Sequence, residues 1–188
     1  PALSGLTKAV TRVSKEDTMA EFDEIKKLPV AALKDRGIDL DVCEHYGVHT
    51  EYDTARGAPK AYYYPMSVSG EVIAYSKRVL PKTFTKLGES KKGKKVEFVG
   101  QTVCEPSKKL LVVGGKDDAL AAFQMLWRSY PQKKPSVVAL PYGDKIGVFA
   151  DQQKFLSQYS EIIYCKDDDT AGEEVEKKLA QLYPDIKF

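Results

Sequence analysis

Three short apolar runs, Lys109 to Val113, Ser136 to Leu140 and Glu161 to Cys165, alternate with helix-compatible stretches over the second half of this chain. Strands so short, separated by helices and not by tight turns, pair in parallel, with the helical crossovers packed on the sheet. A parallel sheet gathers whatever follows its strands at one edge, where open α/β folds bind ligands. Here that edge receives Gly114-Gly115-Lys116-Asp117-Asp118 after the first run and Pro141-Tyr142-Gly143-Asp144 after the second. After the third it receives Asp167-Asp168-Asp169-Thr170-Ala171-Gly172.

With 188 residues, 43% of them hydrophobic, the chain can bury a substantial core as one large domain or two small ones. No apolar run is long enough for a transmembrane helix, and the N-terminus lacks a signal-peptide pattern, so no membrane is expected as a partner. Three scattered cysteines, Cys43, Cys104 and Cys165, point to reduced thiols in an intracellular protein, with Cys165 buried at a strand end. Cys43, His45 and His49 form the one grouping of soft metal ligands. Lacking a CxxC or a second pair, they fall short of a tetrahedral zinc site and read as a partly exposed helix end. No zinc is expected.

The net charge of +2 conceals a segregation. From Ser76 to Lys109 there are ten Lys or Arg against three Glu, whereas from Ser160 onward eight acids face four bases. A basic middle beside an acidic pocket suits a polyanion held by lysines while metal ions sit on carboxylates.

Residues 1–20 read as a polar linker or arm, 21–106 as a basic α+β subdomain, and 107–188 as the parallel-sheet domain. Within the subdomain, Glu21 to Tyr46 reads as helical, interrupted at Asp35-Arg36-Gly37 and resumed from Asp39 to a stop at Gly47. Ala61 to Met66 and Glu71 to Val79 form a β-hairpin turned at Ser67 to Gly70, with continuation toward Thr85. In the second half, Asp117 or Asp118 is expected to cap a helix reaching Tyr130. Phe149 to Tyr159 and Ala171 to Leu182 form two more helices. Pro184 to Phe188 starts a fourth strand, expected to be truncated.

Asp167 and Asp169, two apart in an extended segment, point the same way while Asp168 faces elsewhere. Two bare carboxylates about 4 Å apart repel by roughly 4 kcal/mol at an effective dielectric near 20, so such a pair favours a cation. All-oxygen ligation selects Mg²⁺ or Mn²⁺ over zinc. Gly114-Gly115 permits a sharp turn and close phosphate approach, without the Gly-Lys-Ser/Thr ending of a P-loop. Lys77, Arg78, Lys82 and Lys86 flank Phe84. This set either holds phosphates and stacks a base, or solvates an edge strand whose Phe84 packs into the core.

The ordered set of residues resembles the Toprim domain of primases, topoisomerases and related nucleases, with its Glu-Gly turn, following Asp, and DxD. In more detail it is similar to the RNA polymerase domain of bacteriophage primase–helicases, related to mitochondrial Twinkle. The likeness runs from about Leu28 to Phe188, through Ala32 to Ile38, Cys43 to Gly47, the Tyr62 to Arg78 hairpin, Lys82-Thr83-Phe84, Gly88 and Phe98-Val99-Gly100. It implies a Toprim-type parallel sheet flanked by helices, preceded by a smaller basic α+β subdomain. The implied activity is synthesis of short RNA primers from ribonucleoside triphosphates on a single-stranded DNA template.

By position, Asp167 and Asp169 would hold Mg²⁺, and Asp118 would support the site. Lys77, Arg78, Lys82, Phe84, Lys86, Lys116, Tyr142 and Gly143 would contact nucleotide or template. Zinc-binding and helicase modules would accompany the domain in a longer protein. The setting would be the host cytoplasm for a phage, or a mitochondrion or plastid for a Twinkle-like protein.

Two positions depart from the pattern. The family glutamate, a metal ligand, falls at Gly114, and a second family acid falls at Lys116. A catalytically degenerate module that binds single-stranded DNA or supports a helicase, a site rebuilt around Asp117 and Asp118, and a laboratory substitution all fit this departure. A Toprim nuclease is a further alternative.

Overall fold

A computed structural model describes residues 22–80, 83–88, 95–142 and 146–188 of the chain. Two sheets organise it. The first is antiparallel, in the order β1 (His49–Tyr52), β2 (Pro59–Val68), β3 (Glu71–Val79), β4 (Thr83–Gly88). The second is parallel, with β5 (Lys109–Val113) between β6 (Ser136–Ala139) and β7 (Glu161–Cys165). The helices are α1 (Leu40–Tyr46), α2 (Lys116–Ser129), α3 (Gly147–Asp151), α4 (Gln153–Leu156) and α5 (Thr170–Leu182). None of the described helices is long and apolar enough to cross a membrane.

Strand β2 is buried on both faces, which explains its unbroken aromatic sequence. Tyr62 and Tyr64 point into the central core. Ala61 and Tyr63 join Tyr75 beneath Phe22 and Ile25 of the helical segment 22–27. Pro65 is tolerated mid-strand because β1 ends its pairing at Tyr63, so the missing N–H faces no partner strand there. The β2–β3 turn places Ser69 at φ 54° and Gly70 at φ 81°, the left-handed pair that a two-residue hairpin requires.

In the parallel sheet, alternate residues serve opposite layers. Leu110 and Val112 pack with Phe149, Leu156, Val175 and Leu179. Val113, Val137 and Ala139 pack with Leu120 and Phe123 of α2 and with Tyr62 and Tyr64 of the antiparallel sheet. This central core therefore crosses the boundary expected near residue 106, between the last strand of the antiparallel sheet and the first of the parallel one. Both lateral edges of the parallel sheet are covered: Val99 bridges antiparallel to Ala139 beside β6, and Lys187 bridges parallel to Ile163 beside β7. The latter is the expected start of a fourth strand.

Several local expectations are corrected. The helix expected from Glu21 breaks after residue 27, where Pro29 removes a donor and Val30 instead bridges His49. Strand β1 was not anticipated, and the continuation toward Thr85 is a separate strand, β4. Helix α2 is capped by Gly115, with Asp117 and Asp118 inside its first turn. The helix expected from Phe149 to Tyr159 is two short helices interrupted at Gln152. Cys165, expected to be buried, is exposed at the end of β7, and Cys43, expected near an exposed helix end, is fully buried. The expected arm at residues 1–20 lies outside the described residues.

Candidate active site at the carboxyl edge of the parallel sheet

Strands β5 and β7 are neighbours whose last paired residues are Val113 and Cys165. The chain after each strand consequently emerges at the same edge, bringing Gly114 and Asp167 together. A Cβ placed on Gly114 would lie 3.4 Å from Asp167 Oδ2 and 3.8 Å from the Tyr164 hydroxyl. Position 114 thus faces the first aspartate of the DxD, and its backbone lies outside the left-handed region. A side chain at position 114 would therefore meet Asp167 and Tyr164 at ordinary contact distance.

Partial desolvation, followed by the charges of Asp118 and Asp169, raises the pKa of Asp167 above the ordinary carboxylate value. These three acids therefore share one local field. Asp118 lies in the first turn of α2, its carboxylate folded over Gly115 so closely that a Cβ there would overlap it. Asp169 has a second duty: its Oδ1 accepts the Gly172 N–H at 2.7 Å and caps α5. Gly172 in turn packs on the main chain of Asp167, leaving no space for a Cβ. The turn of α5 thereby fixes the backbone from which Asp167 projects.

Asp117, the adjacent acid considered as a stand-in at Gly114, is committed elsewhere. Its carboxylate accepts the Tyr64 hydroxyl hydrogen and pairs with Arg78 and, at 3.3 Å, with Arg36 Nε. Nearby, the Tyr62 hydroxyl donates to Asp35. Asp117 thus turns toward the antiparallel sheet and not toward Asp167. Arg78, expected to touch nucleotide or template, is 3% exposed and occupied by this pair.

Lys77 is engaged on the other face of β3. It lies on the β3 face covered by Phe22 and Ile25, with Nζ 3.0 Å from Glu51 Oε2 and 5.1 Å from the Tyr63 ring centre. Alternation along a strand explains the split: adjacent residues cannot both face the central core. Phe84 and Lys86 pair in register with Arg78 and Ser76, but their side chains lie outside the described set, as do residues Lys82 and Gly143. Tyr142 is 38% exposed beyond β6. Lys116 is partly buried at the start of α2, and desolvation lowers its pKa.

Among the described residues, no group of three or more His, Cys, Asp or Glu side chains is placed to hold a metal ion together. His45 stacks on Phe123 at 4.5 Å between ring centres, and His49 Nδ1 lies 2.7 Å from the Leu28 carbonyl, so each has structural work apart from Cys43. Arg36, Tyr64 and Gly172 were missed as site-supporting residues. Only Gly172 left a sequence trace, in the Asp-Thr-Ala-Gly spacing of a capped helix start.

The fold is a mixed α/β arrangement, a three-stranded parallel sheet flanked by helices and joined to an antiparallel sheet, with acidic side chains at the carboxyl edge of the parallel sheet. Two solved structures from bacteriophage T7 share this fold. The primase fragment of the T7 primase-helicase protein superposes with a TM-score of 0.65 at 21% identity over 85% of this chain. A chain from a structure of the T7 lagging-strand DNA polymerase, interacting with primase domains bound to an RNA/DNA hybrid and dTTP, superposes with a TM-score of 0.67. It is 23% identical over 84% of this chain and is itself 78% covered. This chain spans 64% of the length of the T7 primase fragment. At these identities the fold is what is shared. No family profile and no curated protein sequence matches the chain.

Proposed function

We propose that this chain is the nucleotidyl-transfer domain of a primase-like replication protein, making short RNA primers from ribonucleoside triphosphates on single-stranded DNA. The observation that carries this reading is the convergence of Asp118 and Asp167 at the carboxyl edge of the sheet in a primase fold. The RNA/DNA hybrid and dTTP bound by the T7 primase domains support template and nucleotide as ligands. By the same reading, Lys82, Phe84 and Lys86 of the basic layer contact the template. Zinc-binding and helicase modules would accompany the domain in a longer protein, and a phage origin would place it in the host cytoplasm.

The two carboxylates Asp118 and Asp167 are oxygen donors of the kind a hard divalent cation takes. Asp167 is crowded by Asp118 and Asp169, an arrangement that positive charge relieves. Asp167 and Asp118 would hold Mg²⁺ or Mn²⁺, with water and phosphate oxygens completing the shell. When bound, such an ion supplies charge neutralisation at the transferring phosphate. Asp169 contributes less freely because one oxygen caps α5.

A second reading, a module that binds single-stranded DNA without synthesis, is favoured by one observation: Gly114 offers no carboxylate opposite Asp167. A primer assay with labelled ribonucleotides, single-stranded template and Mg²⁺ or Mn²⁺ separates the two. Product from the wild-type chain supports the primase, whereas product from Gly114→Glu alone supports the second reading, a primase-like site inactive for want of that carboxylate. If neither makes product while DNA binding persists and weakens on Lys82→Ala or Lys86→Ala, the second reading stands. Metal-dependent nicking of plasmid instead identifies a nuclease.

A further inference from the structure

The opposite end of the parallel sheet carries a second surface, unrelated to the acidic edge. Helix α2 covers β5 and β6 on the face shared with the antiparallel sheet, but it leaves β7 open there. Leu111 and Ile163, paired across the strands, form the floor of a groove of about 740 Å³, flanked by Leu126 and Tyr130. Tyr130 is 69% exposed and the neighbouring Met125 is 70% exposed. Parallel sheets bury both faces, because their strands carry apolar residues on each side. An uncovered apolar strip beside a helix is therefore a place for another helix.

The rim identifies the chemistry of its occupant. Lys108, Lys109, Lys133 and Lys134 line the groove, and no carboxylate does. Among the described residues Lys109 alone of the four is ion-paired, to Glu161 at 3.1 Å, and Glu161 is shared with Lys187. We infer that this groove docks an acidic amphipathic helix of a partner protein. Its apolar stripe would lie on Leu111 and Ile163 beside α2, and its carboxylates would meet the lysine rim. Leu111 on the groove floor lies three residues before Gly114, about 10 Å at roughly 3.3 Å per residue, and the lysine rim lies at the end of β5 away from the acidic edge.

The test is titration of ¹⁵N-labelled full chain with a designed helical peptide of roughly 16 residues, about 24 Å long, carrying leucine on one face and glutamate elsewhere. A lysine-for-glutamate version and oligothymidylate are the comparison probes. The acidic peptide is expected to shift the amides of Leu111, Leu126, Tyr130 and Ile163, and Lys108→Glu with Lys133→Glu to weaken it about tenfold. These lysines are exposed, so the remaining amide spectrum reports an intact fold. Equal binding of the lysine peptide, shifts confined to other residues, or tighter oligothymidylate binding at the same amides overturns the proposal. Concentration-dependent shifts at the groove without peptide overturn it in favour of a second copy as occupant. All outcomes are independent of primer synthesis.

Discussion

Arg78 of the antiparallel sheet and Asp117 of helix α2 form an ion pair almost closed to water, their side chains 4% and 15% exposed. The pair joins the two layers one residue before Asp118. Removing one partner of such a pair strands the other charge, which costs about 3–5 kcal/mol. Asp117→Asn is therefore expected to lower unfolding stability in urea by about 3 kcal/mol. The double variant Arg78→Met with Asp117→Leu should recover most of that loss, since an apolar replacement leaves no orphaned charge. A double variant no more stable than Asp117→Asn would show that the charges themselves are required.

Gly114→Glu should fold, because the new Cβ meets Asp167 Oδ2 at an ordinary 3.4 Å. Without metal the added carboxylate repels Asp167 and lowers stability by about 1 kcal/mol. With Mn²⁺ the order should reverse, and calorimetry should find affinity at least about tenfold above wild type. Unchanged Mn²⁺ affinity would mean that position 114 and Asp167 do not share a ligand.

Helical glycine usually gains stability when replaced by alanine, by about 0.5–1 kcal/mol. Gly172→Ala should do the opposite, because its Cβ would overlap the main chain of Asp167. A loss of about 2–3 kcal/mol in thermal or chemical unfolding is expected. A gain would show that the start of α5 is not packed against the DxD backbone.

Two of the described groups contribute to the acid response in separate pH ranges. Burial, reinforced by Lys134, lowers the His45 pKa from 6.5 to about 4, so the folded state resists a proton that the unfolded chain accepts. Stability should fall as pH drops from about 6.5 toward 4, by roughly 2 kcal/mol after allowing for partial exposure. For Glu51, burial opposes ionisation, but hydrogen bonds from Lys60, Tyr63 and Lys77 outweigh it and bring the pKa from 4.5 to about 2. Its contribution is intact above pH 4.5 and lost between there and pH 2. Urea titrations across this range should lose the upper slope in His45→Gln and the lower one in Glu51→Gln.

The parallel sheet was legible because its strands are apolar runs bounded by charge or glycine: Glu161–Cys165 matches β7 residue for residue. The same strand-end logic brought Gly114, Asp118 and Asp167 to one edge. Strand β1 was missed because His49-Thr50-Glu51-Tyr52 is only four residues long and has no apolar run. The Arg78–Asp117 pair was invisible because two charges 39 positions apart carry no local signal. The opposite facing of Lys77 and Arg78 could have been read from strand alternation alone. Asp169 illustrates a different difficulty: one carboxylate can serve a helix cap and a ligand site, and sequence does not apportion its oxygens.

The central core takes Tyr62 and Tyr64 from one layer and Val113, Leu120 and Phe123 from the other. A cut near residue 106 would bare aromatic surface on both pieces, so the halves are not interchangeable modules. Transplanting the parallel-sheet half into another protein would require Tyr62, Tyr64 and Arg78 to travel with it. The acidic edge and the antiparallel layer thus form one packed unit, and any side chain introduced at position 114 would enter that fixed pairing.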